Sequence, residues 1–158
     1  MPVKSFLMEP DSKHEGLRVL VVDDDPVALA ADCKILGGAE FAVLTATCGD
    51  DALRVARSAR PAVIVLDVML PGGKDGFTIF RELRGDPVTQ SIPVIFLTGV
   101  NQATDLAFGA REIGRYLGTE PAAFLEKPVS AELLLRAIRA AASARTARAE
   151  KPDPPANG

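Results

Sequence analysis

Short apolar runs alternate with longer segments of helical spacing along most of this chain. Each of five runs has the length of one strand, and they cover 17–22, 41–46, 62–66, 92–97 and 123–126. Two of them, 62–66 and 92–97, are apolar at every position, as expected for parallel strands buried on both faces. The intervening spacing predicts helices over 26–38, 50–60, 75–85, 101–117 and 130–149.

Five strands that alternate with five helices predict an α/β protein with a doubly wound, five-stranded parallel sheet. Residue types at the segment ends agree with this prediction. Pro26 is favoured at a first helical position, Gly37-Gly38 supplies a stop, and Ser130 is a good N-cap for the last helix.

The two ends of the chain have no sustained apolar period. Residues 1–16 mix both charge signs with Pro, Ser and Gly, which predicts a flexible N-terminal arm. Residues 147–158 are rich in Pro and are predicted to be a disordered tail. One folded domain is therefore expected over 17–146.

Composition narrows the class of protein. A hydrophobic content of 47% in 158 residues supports a sizeable core, and the net charge of −3 gives no general reason to expect nucleic-acid binding. No apolar stretch approaches the roughly 20 residues of a membrane helix, and the N-terminus lacks the apolar core of a signal peptide, so a cytoplasmic protein is expected. Cys33 and Cys48 are interpreted as small apolar fillers rather than as a disulfide framework.

Polar residues follow or close four of the predicted strands. They are Asp23, Asp24, Asp67, Thr98 and Lys127. The carboxyl ends of parallel strands share one rim, where ligands bind, so these side chains are predicted to converge. Three carboxylates, a hydroxyl and an ammonium together indicate a site for a divalent metal and a phosphoryl group.

Each of these residues also has an ordinary interpretation as a cap, turn, strand or surface residue. For the neighbouring Asp25 we prefer the capping interpretation, because an acid directly before Pro26 is placed as a helix N-cap. For the five residues at the strand ends, their predicted convergence on one rim favours a shared binding site over the ordinary interpretations. Two carboxylates ~4 Å apart repel by about 4 kcal/mol at an effective dielectric near 20, so three of them favour a cation. Oxygen ligands in a small open site suit Mg²⁺. Lys127 precedes Pro128, and a cis bond there would fix its direction toward Asp67.

Four motifs, VLVVDDDP, VIVLDVMLPGGKDGF, FLTG and FLEKP, resemble the receiver domain of two-component response regulators, the CheY-like superfamily. The resemblance spans about 17–146 and implies a flavodoxin-like sheet with strand order 2-1-3-4-5. It implies that Asp67 is the phosphoacceptor. It further implies that Asp24 binds Mg²⁺ directly, that Asp23 binds it partly through water, and that Met69 offers a backbone carbonyl.

The resemblance also implies a switch and partners. Thr98 matches the switch hydroxyl, Phe124 the aromatic switch position, and Lys127 the lysine before a cis proline. The phosphoryl donor would be a sensor histidine kinase or a histidine phosphotransfer protein, and the chain would catalyse only its own phosphorylation and dephosphorylation. Phosphorylation would alter the face made by the fourth helix, fifth strand and fifth helix, where a downstream partner of unknown identity or a second copy binds.

Two segments depart from the family pattern. The loop LPGGKDGF is one residue longer than usual and adds Lys74, but the insertion follows Met69, so the metal site is expected to survive. Thr98 and Lys127 are 29 positions apart, which is more than is usual. A longer or reshaped fourth helix is expected there, so partner choice and dimer mode cannot be carried over.

Other functions remain open from the sequence. Asp23-x-Asp25 formally matches a phosphatase of the haloacid dehalogenase type, although the chain is too short for a cap domain and Pro26 favours a helix start. A receiver-like module that never takes phosphate is another alternative. The Arg-rich end of the last helix is interpreted as solvated cations near a helix C-terminus, with a nucleic-acid arm as the alternative.

Overall fold

The computed structural model describes residues 17–37, 41–68, 76–98 and 121–150, the side chains of 145–150 excepted. The strands are β1 (Arg18–Val22), β2 (Ala42–Ala46), β3 (Val63–Asp67), β4 (Val94–Thr98) and β5 (Ala123–Glu126). The helices are α1 (Pro26–Gly37), α2 (Gly49–Ala59), α3 (Gly76–Arg84) and α4 (Ala131–Glu150). The helix predicted over 101–117, the arm 1–16 and residues 151–158 lie outside the described residues. Among the helices described, none has both the length and the apolar character needed to cross a bilayer.

All neighbouring strands pair in parallel, in the order β2-β1-β3-β4-β5, which confirms the predicted doubly wound sheet. The register aligns the strand ends. Val22 of β1 pairs with Leu66 of β3, Asp67 pairs with Leu97 of β4, and Thr98 pairs with Glu126 of β5. The residues that close or follow these strands therefore share one rim of the sheet.

The central strands are buried on both faces, as their uninterrupted apolar sequences predict. Along β3, Val63 and Val65 join a cluster with residues of α1 and α4, while Ile64 and Leu66 join a second cluster with residues of α2 and α3. All five residues of β3 are buried. Successive side chains of a strand point to opposite faces, so each strand contributes to two cores at once.

The predicted caps of two helices are present. The backbone N–H of Val27 donates to Asp25 Oδ1 at 3.0 Å, directly before the start of α1, and the N–H of Leu133 donates to Ser130 Oγ at 3.0 Å before α4. Asp25 therefore acts as the N-cap that its position predicts. This role favours the helix start over the interpretation of Asp23-x-Asp25 as a phosphatase pair.

The interpretation of both cysteines as apolar fillers is wrong for one of them. Cys33 is half-buried in α1, but Cys48 is exposed and occupies the N-cap position of α2. Cys48 lies in the short turn between β2 and α2, where no packing layer covers it. Both thiols are free.

Gly76 brings the start of α3 against the end of β3. A Cβ atom at this position would lie 2.7 Å from the Val68 Cα atom and 2.9 Å from the Asp67 carbonyl oxygen. The Gly76 N–H also donates to the Val68 carbonyl at 2.9 Å. Only glycine permits this approach without a shift of backbone, and the approach holds α3 beside Asp67.

Candidate functional site

Three aspartates meet at the carboxyl end of the sheet. Asp23 and Asp24 directly follow β1, Asp67 is the last residue of β3, and one carboxylate oxygen of each lies within 4.8 Å of those of the other two. Asp23 and Asp67 are buried, whereas Asp24 is exposed. The group, called the aspartate pocket below, is thus open to solvent on the side of Asp24.

Lys127 supplies a cation to this pocket. Its ammonium nitrogen Nζ donates to Asp67 Oδ2 at 3.0 Å and lies 3.4 Å from Asp23 Oδ2. The Lys127–Pro128 peptide bond is cis, as predicted. The backbone N–H of Lys127 donates to the Thr98 carbonyl at 2.7 Å, which fixes the residue at the rim between β4 and β5.

The protonated form of Lys127 is favoured by its two partners. Burial alone lowers the pKa of this ammonium, but the hydrogen bond and negative charge of Asp67, together with Asp23, outweigh burial and raise the pKa above 10.5. Lys127 is therefore charged throughout the physiological range. It remains a donor to whichever oxygen lies next to it.

Asp23 is held more tightly than Asp24. Its Oδ1 atom accepts the Asp25 N–H at 3.0 Å, and its own N–H donates to the Ala46 carbonyl at 3.1 Å. The carboxylate of Asp24 is exposed at the mouth of the pocket. Asp23 is therefore held in place by the protein, whereas Asp24 is accessible to a ligand from solvent.

The donor set of the pocket fits a hard divalent cation. Three carboxylates and one ammonium leave two negative charges in a space where the three ligand oxygens lie within 4.8 Å of one another. A divalent ion would neutralise that excess, and oxygen ligands are those that Mg²⁺ prefers. Met69, predicted to add a backbone carbonyl, lies outside the described residues.

Thr98 and Phe124 lie on neighbouring strands beside the pocket. Thr98 is the last residue of β4, buried, and follows Leu97, the strand partner of Asp67. Phe124 of β5 pairs with Phe96 of β4, and their rings stack with centroids 5.2 Å apart. Phe96 also contacts Phe77 and Phe80 of α3 edge to face, at 5.2 Å and 5.6 Å. The ring of Phe124 is thus one member of a packed aromatic group.

One acid near the pocket was not singled out from the sequence. Asp32 of α1 is only 8% exposed. Burial, with the charges of Asp23 and Asp67 and against that of Lys127, raises the pKa of Asp32 to about 6. The signal in the sequence was its position four residues before the buried Leu36, which places both on one face of the helix.

Comparison with known proteins decides the family. The model of the response regulator receiver domain matches residues 19–139, well over half of the chain. The chain belongs to this family. It is therefore a receiver domain of two-component signalling, and membership implies a histidine kinase or phosphotransfer protein as partner.

Relatives of this receiver domain differ in length. Protein PilH of Pseudomonas aeruginosa is 37% identical over 123 residues, which cover 78% of this chain and 95% of PilH. Response regulator PleD of Caulobacter vibrioides is 37% identical over 124 residues, which cover 77% of this chain but only 25% of PleD. The same domain thus accounts for nearly all of one relative and for about a quarter of another.

Solved receiver structures have the same fold. The response regulator receiver domain protein from Clostridium thermocellum superimposes with a TM-score of 0.70 at 26% identity, covering 82% of this chain and 97% of that one. The structure of adenylate cyclase from Rhodopirellula baltica superimposes with a TM-score of 0.71 at 27% identity, covering 84% of this chain and 94% of that one. The strand order is that of a receiver fold.

Proposed function

We propose that this receiver domain accepts a phosphoryl group on Asp67 from a phosphohistidine of a sensor histidine kinase or a histidine phosphotransfer protein. The observation that carries the proposal is the ion pair between Asp67 and Lys127, 3.0 Å long, inside a cluster of three carboxylates. Family membership supports the reaction class. The domain that performs it is proposed to occupy residues 17–146.

In the transfer step, a carboxylate oxygen of Asp67 attacks phosphorus. The new O–P bond forms as the P–N bond to the donor imidazole breaks, and the electron pair stays on the imidazole nitrogen, which takes up a proton. Lys127 keeps its charge because its pKa is raised, so it can move from Asp67 Oδ2 to a phosphoryl oxygen. Catalysis of this kind depends mainly on position and charge.

Asp24 and Asp67 would hold Mg²⁺ directly, and Asp23 partly through water, with the Met69 carbonyl as a further ligand. When bound, the ion would offset negative charge on the transferring group. The exposed position of Asp24 and the hydrogen bonds that restrain Asp23 support this division of roles. The net charge of the pocket supports a divalent rather than a monovalent ion.

Thr98 is proposed to read the modification. Its hydroxyl would bond a phosphoryl oxygen, and Phe124 would fill the space that Thr98 leaves. The position of Phe124 on β5, next to the strand that ends at Thr98, supports such a response. The surface near β5 and α4 would then change, and a downstream partner or a second copy of the chain would bind there.

Phosphorylation by acetyl phosphate with Mg²⁺, followed by intact-mass measurement, tests the assignment. Wild type is expected to gain one phosphoryl group and Asp67→Asn none. Asp51→Asn is a matched control, because Asp51 is a half-exposed acid of α2 that pairs with Arg54 at the surface. Equal incorporation into wild type and Asp67→Asn would overturn the assignment.

The same experiment separates the other functions. A protein that takes no phosphoryl group and binds no beryllofluoride in the presence of Mg²⁺ would be a receiver-like module that acts without phosphate. Steady release of phosphate from small phosphomonoesters would indicate a phosphatase. The capping role of Asp25 speaks against the latter.

A further inference from the structure

One side of α4 carries an open groove of about 540 Å³. Within the part of the chain that the structure describes, its lining comes from α4 alone and consists of Glu132, Leu135, Arg136, Arg139, Ala140 and Ser143. Leu135 is half-buried against the apolar cluster on this side of the sheet, and the other five are exposed. No carboxylate of the described residues forms an ion pair with Arg136 or Arg139. The groove, called the α4 groove below, thus combines an apolar floor with two cations.

The α4 groove lies close to the point where the chain enters the sheet. The guanidinium group of Arg139 is placed over the ring of Phe41, 5.8 Å from its centroid. Phe41 directly precedes β2, and the N–H of Ala42 donates to the Leu17 carbonyl at 3.0 Å. Leu17 also packs against the apolar cluster to which Phe41 and α4 contribute. The arm of residues 1–16 is therefore attached to the folded domain beside the groove.

The sequence of the arm has side chains suited to this groove. Residues 12–16 form a link to the domain, and before them come the acids Asp11 and Glu9. Farther from the domain lie the apolar run Phe-Leu-Met at 6–8 and then the cation Lys4. Counted from the domain, the order along the arm is therefore acidic, apolar and basic.

The α4 groove presents the complementary order. Counted from the end of α4 back towards its start, the two arginines come first, Leu135 follows and Glu132 is last. At 1.5 Å per residue, the groove from Ser143 to Glu132 is about 17 Å long. The nine residues from Glu9 to Leu17 reach up to about 30 Å when extended. The arm is thus long enough to lie along the whole groove with opposite charges next to each other.

We propose that residues 4–11 of the arm dock in the α4 groove of the same chain. The apolar run 6–8 packs against Leu135, and the acids Glu9 and Asp11 lie beside the two arginines. An extended peptide held by a few side chains needs no sustained apolar period, so the sequence of the arm is compatible with this contact. Ion pairs at an open surface are individually weak, so docking is reversible and the folded sheet does not depend on it.

A docked arm would shield one side of α4 from other proteins. The groove opens next to Phe41, which precedes β2 at one edge of the sheet, whereas β5 forms the other edge. It is therefore distinct from the surface near β5 that is proposed to change on phosphorylation. While the arm is docked, a second copy of the chain or an acidic partner has no access to the two arginines.

Paramagnetic relaxation enhancement in the full chain tests the proposal. A nitroxide is attached to Ser5→Cys in a chain that also carries Cys33→Ala and Cys48→Ser, so that only one thiol is present. The backbone amides of 135–143 are expected to show an enhancement several-fold larger than those of α2. Helix α2 is the reference because it packs on the opposite face of the sheet from α4.

Charge reversal separates a specific contact from an arm that passes the groove at random. Arg136→Glu should reduce the enhancement several-fold, and Glu9→Arg added to it should restore the enhancement. Arg81→Glu is a matched control, since Arg81 is exposed in the last turn of α3, on the other face of the sheet. Arg136 is exposed as well, so both variants are expected to fold, and well-dispersed amide resonances verify this.

Enhancement that is equal on both faces of the sheet, or that Arg136→Glu leaves unchanged, would overturn the proposal. A mixture of the spin-labelled chain with an unlabelled chain enriched in ¹⁵N detects contacts between copies. Enhancement in that mixture as strong as within one chain would assign the groove to a second copy and would also overturn the proposal. None of these outcomes depends on phosphoryl transfer to Asp67.

Discussion

At the scale of single residues, Lys127 offsets part of the negative charge of the aspartate pocket. It is 32% exposed and pairs with two carboxylates that are almost entirely buried. Lys127→Met would leave Asp23 and Asp67 facing each other without a cation. We expect the free energy of unfolding to fall by about 1–3 kcal/mol, less than for a fully buried pair because water reaches Lys127.

Urea denaturation with and without Mg²⁺ measures this effect. The loss in Lys127→Met should shrink when Mg²⁺ is added, because the ion replaces the missing positive charge. Lys34→Met is the control, since Lys34 is exposed in the last turn of α1. Similar losses in the two variants, or no recovery with Mg²⁺, would contradict the role given to Lys127.

Asp32 makes stability depend on pH in a direction opposite to that of most aspartates. The pKa of Asp32 is about 6 in the folded protein and 3.8 in the unfolded chain, so folding takes up a proton at pH values between these two. Its favourable contribution is complete below about pH 4 and is lost as the pH rises through 6. Asp32→Leu should therefore raise the free energy of unfolding at pH 7.5 by about 1–3 kcal/mol, with a smaller gain at pH 4.

Chemical denaturation of wild type and Asp32→Leu from pH 4 to pH 8 gives the measurement. The two stability curves should diverge between pH 4 and pH 7. Parallel curves would show that the carboxyl group has an ordinary pKa and that burial is compensated in some other way.

At the scale of elements, the start of α3 depends on one glycine. A Cβ atom on Gly76 would meet the backbone of Val68 and Asp67 at less than 3.0 Å. Gly76→Ala is therefore expected to lower stability by about 1–3 kcal/mol, because helix and strand must move apart. Gly85→Ala is a matched control, since a Cβ atom there would meet its nearest neighbour at 3.5 Å.

Thermal denaturation of the two glycine variants separates them. The midpoint of Gly76→Ala should drop by several degrees, while that of Gly85→Ala should stay near wild type. Because α3 lies beside Asp67, phosphorylation of Gly76→Ala should also be slower. Equal midpoints for the two variants would mean that α3 has room to shift without cost.

At the scale of the whole molecule, the hydrogen bonds that hold the rim lie between residues 17 and 127, and the last side chain of the described core is Ala142. We expect a chain reduced to residues 17–146 to fold and to accept a phosphoryl group on Asp67. Circular dichroism and urea denaturation should give a free energy of unfolding within about 0.5 kcal/mol of the full chain. Loss of cooperative unfolding would show that residues outside this range belong to the core.

The sheet was predictable because its strands are short, apolar on both faces and closed by polar residues. The strand predicted over 92–97 begins at Val94 in the structure, because Pro93 has no N–H to donate and offers only its carbonyl, to Ile64 at 3.0 Å. Asp67 and Thr98 belong to their strands rather than following them. These differences are small, since the register is set by the buried side chains.

The surroundings of the pocket were harder to predict. The residues of α1 are apolar on nearly every side, so the four-residue spacing of Asp32 and Leu36 did not stand out as a buried face. Lys127 lies close to both Asp23 and Asp67 because the ends of β1, β3 and β5 align at one rim. No local sequence pattern encodes that alignment. The predicted roles of Met69 and of the segment 101–117 lie outside the described residues and remain predictions.

The backbone hydrogen bond from Lys127 to the Thr98 carbonyl joins the two ends of the long connection between β4 and β5. Each doubling of a flexible connection costs only about 0.6 kcal/mol in closure entropy. We therefore expect that the length or sequence of this connection can change while Thr98 and Lys127 keep their places at the rim. Both ends of the connection lie beside Asp67, so a peptide grafted into it would begin and end next to the proposed phosphoacceptor, and partner recognition could be rewritten separately from the proposed reaction.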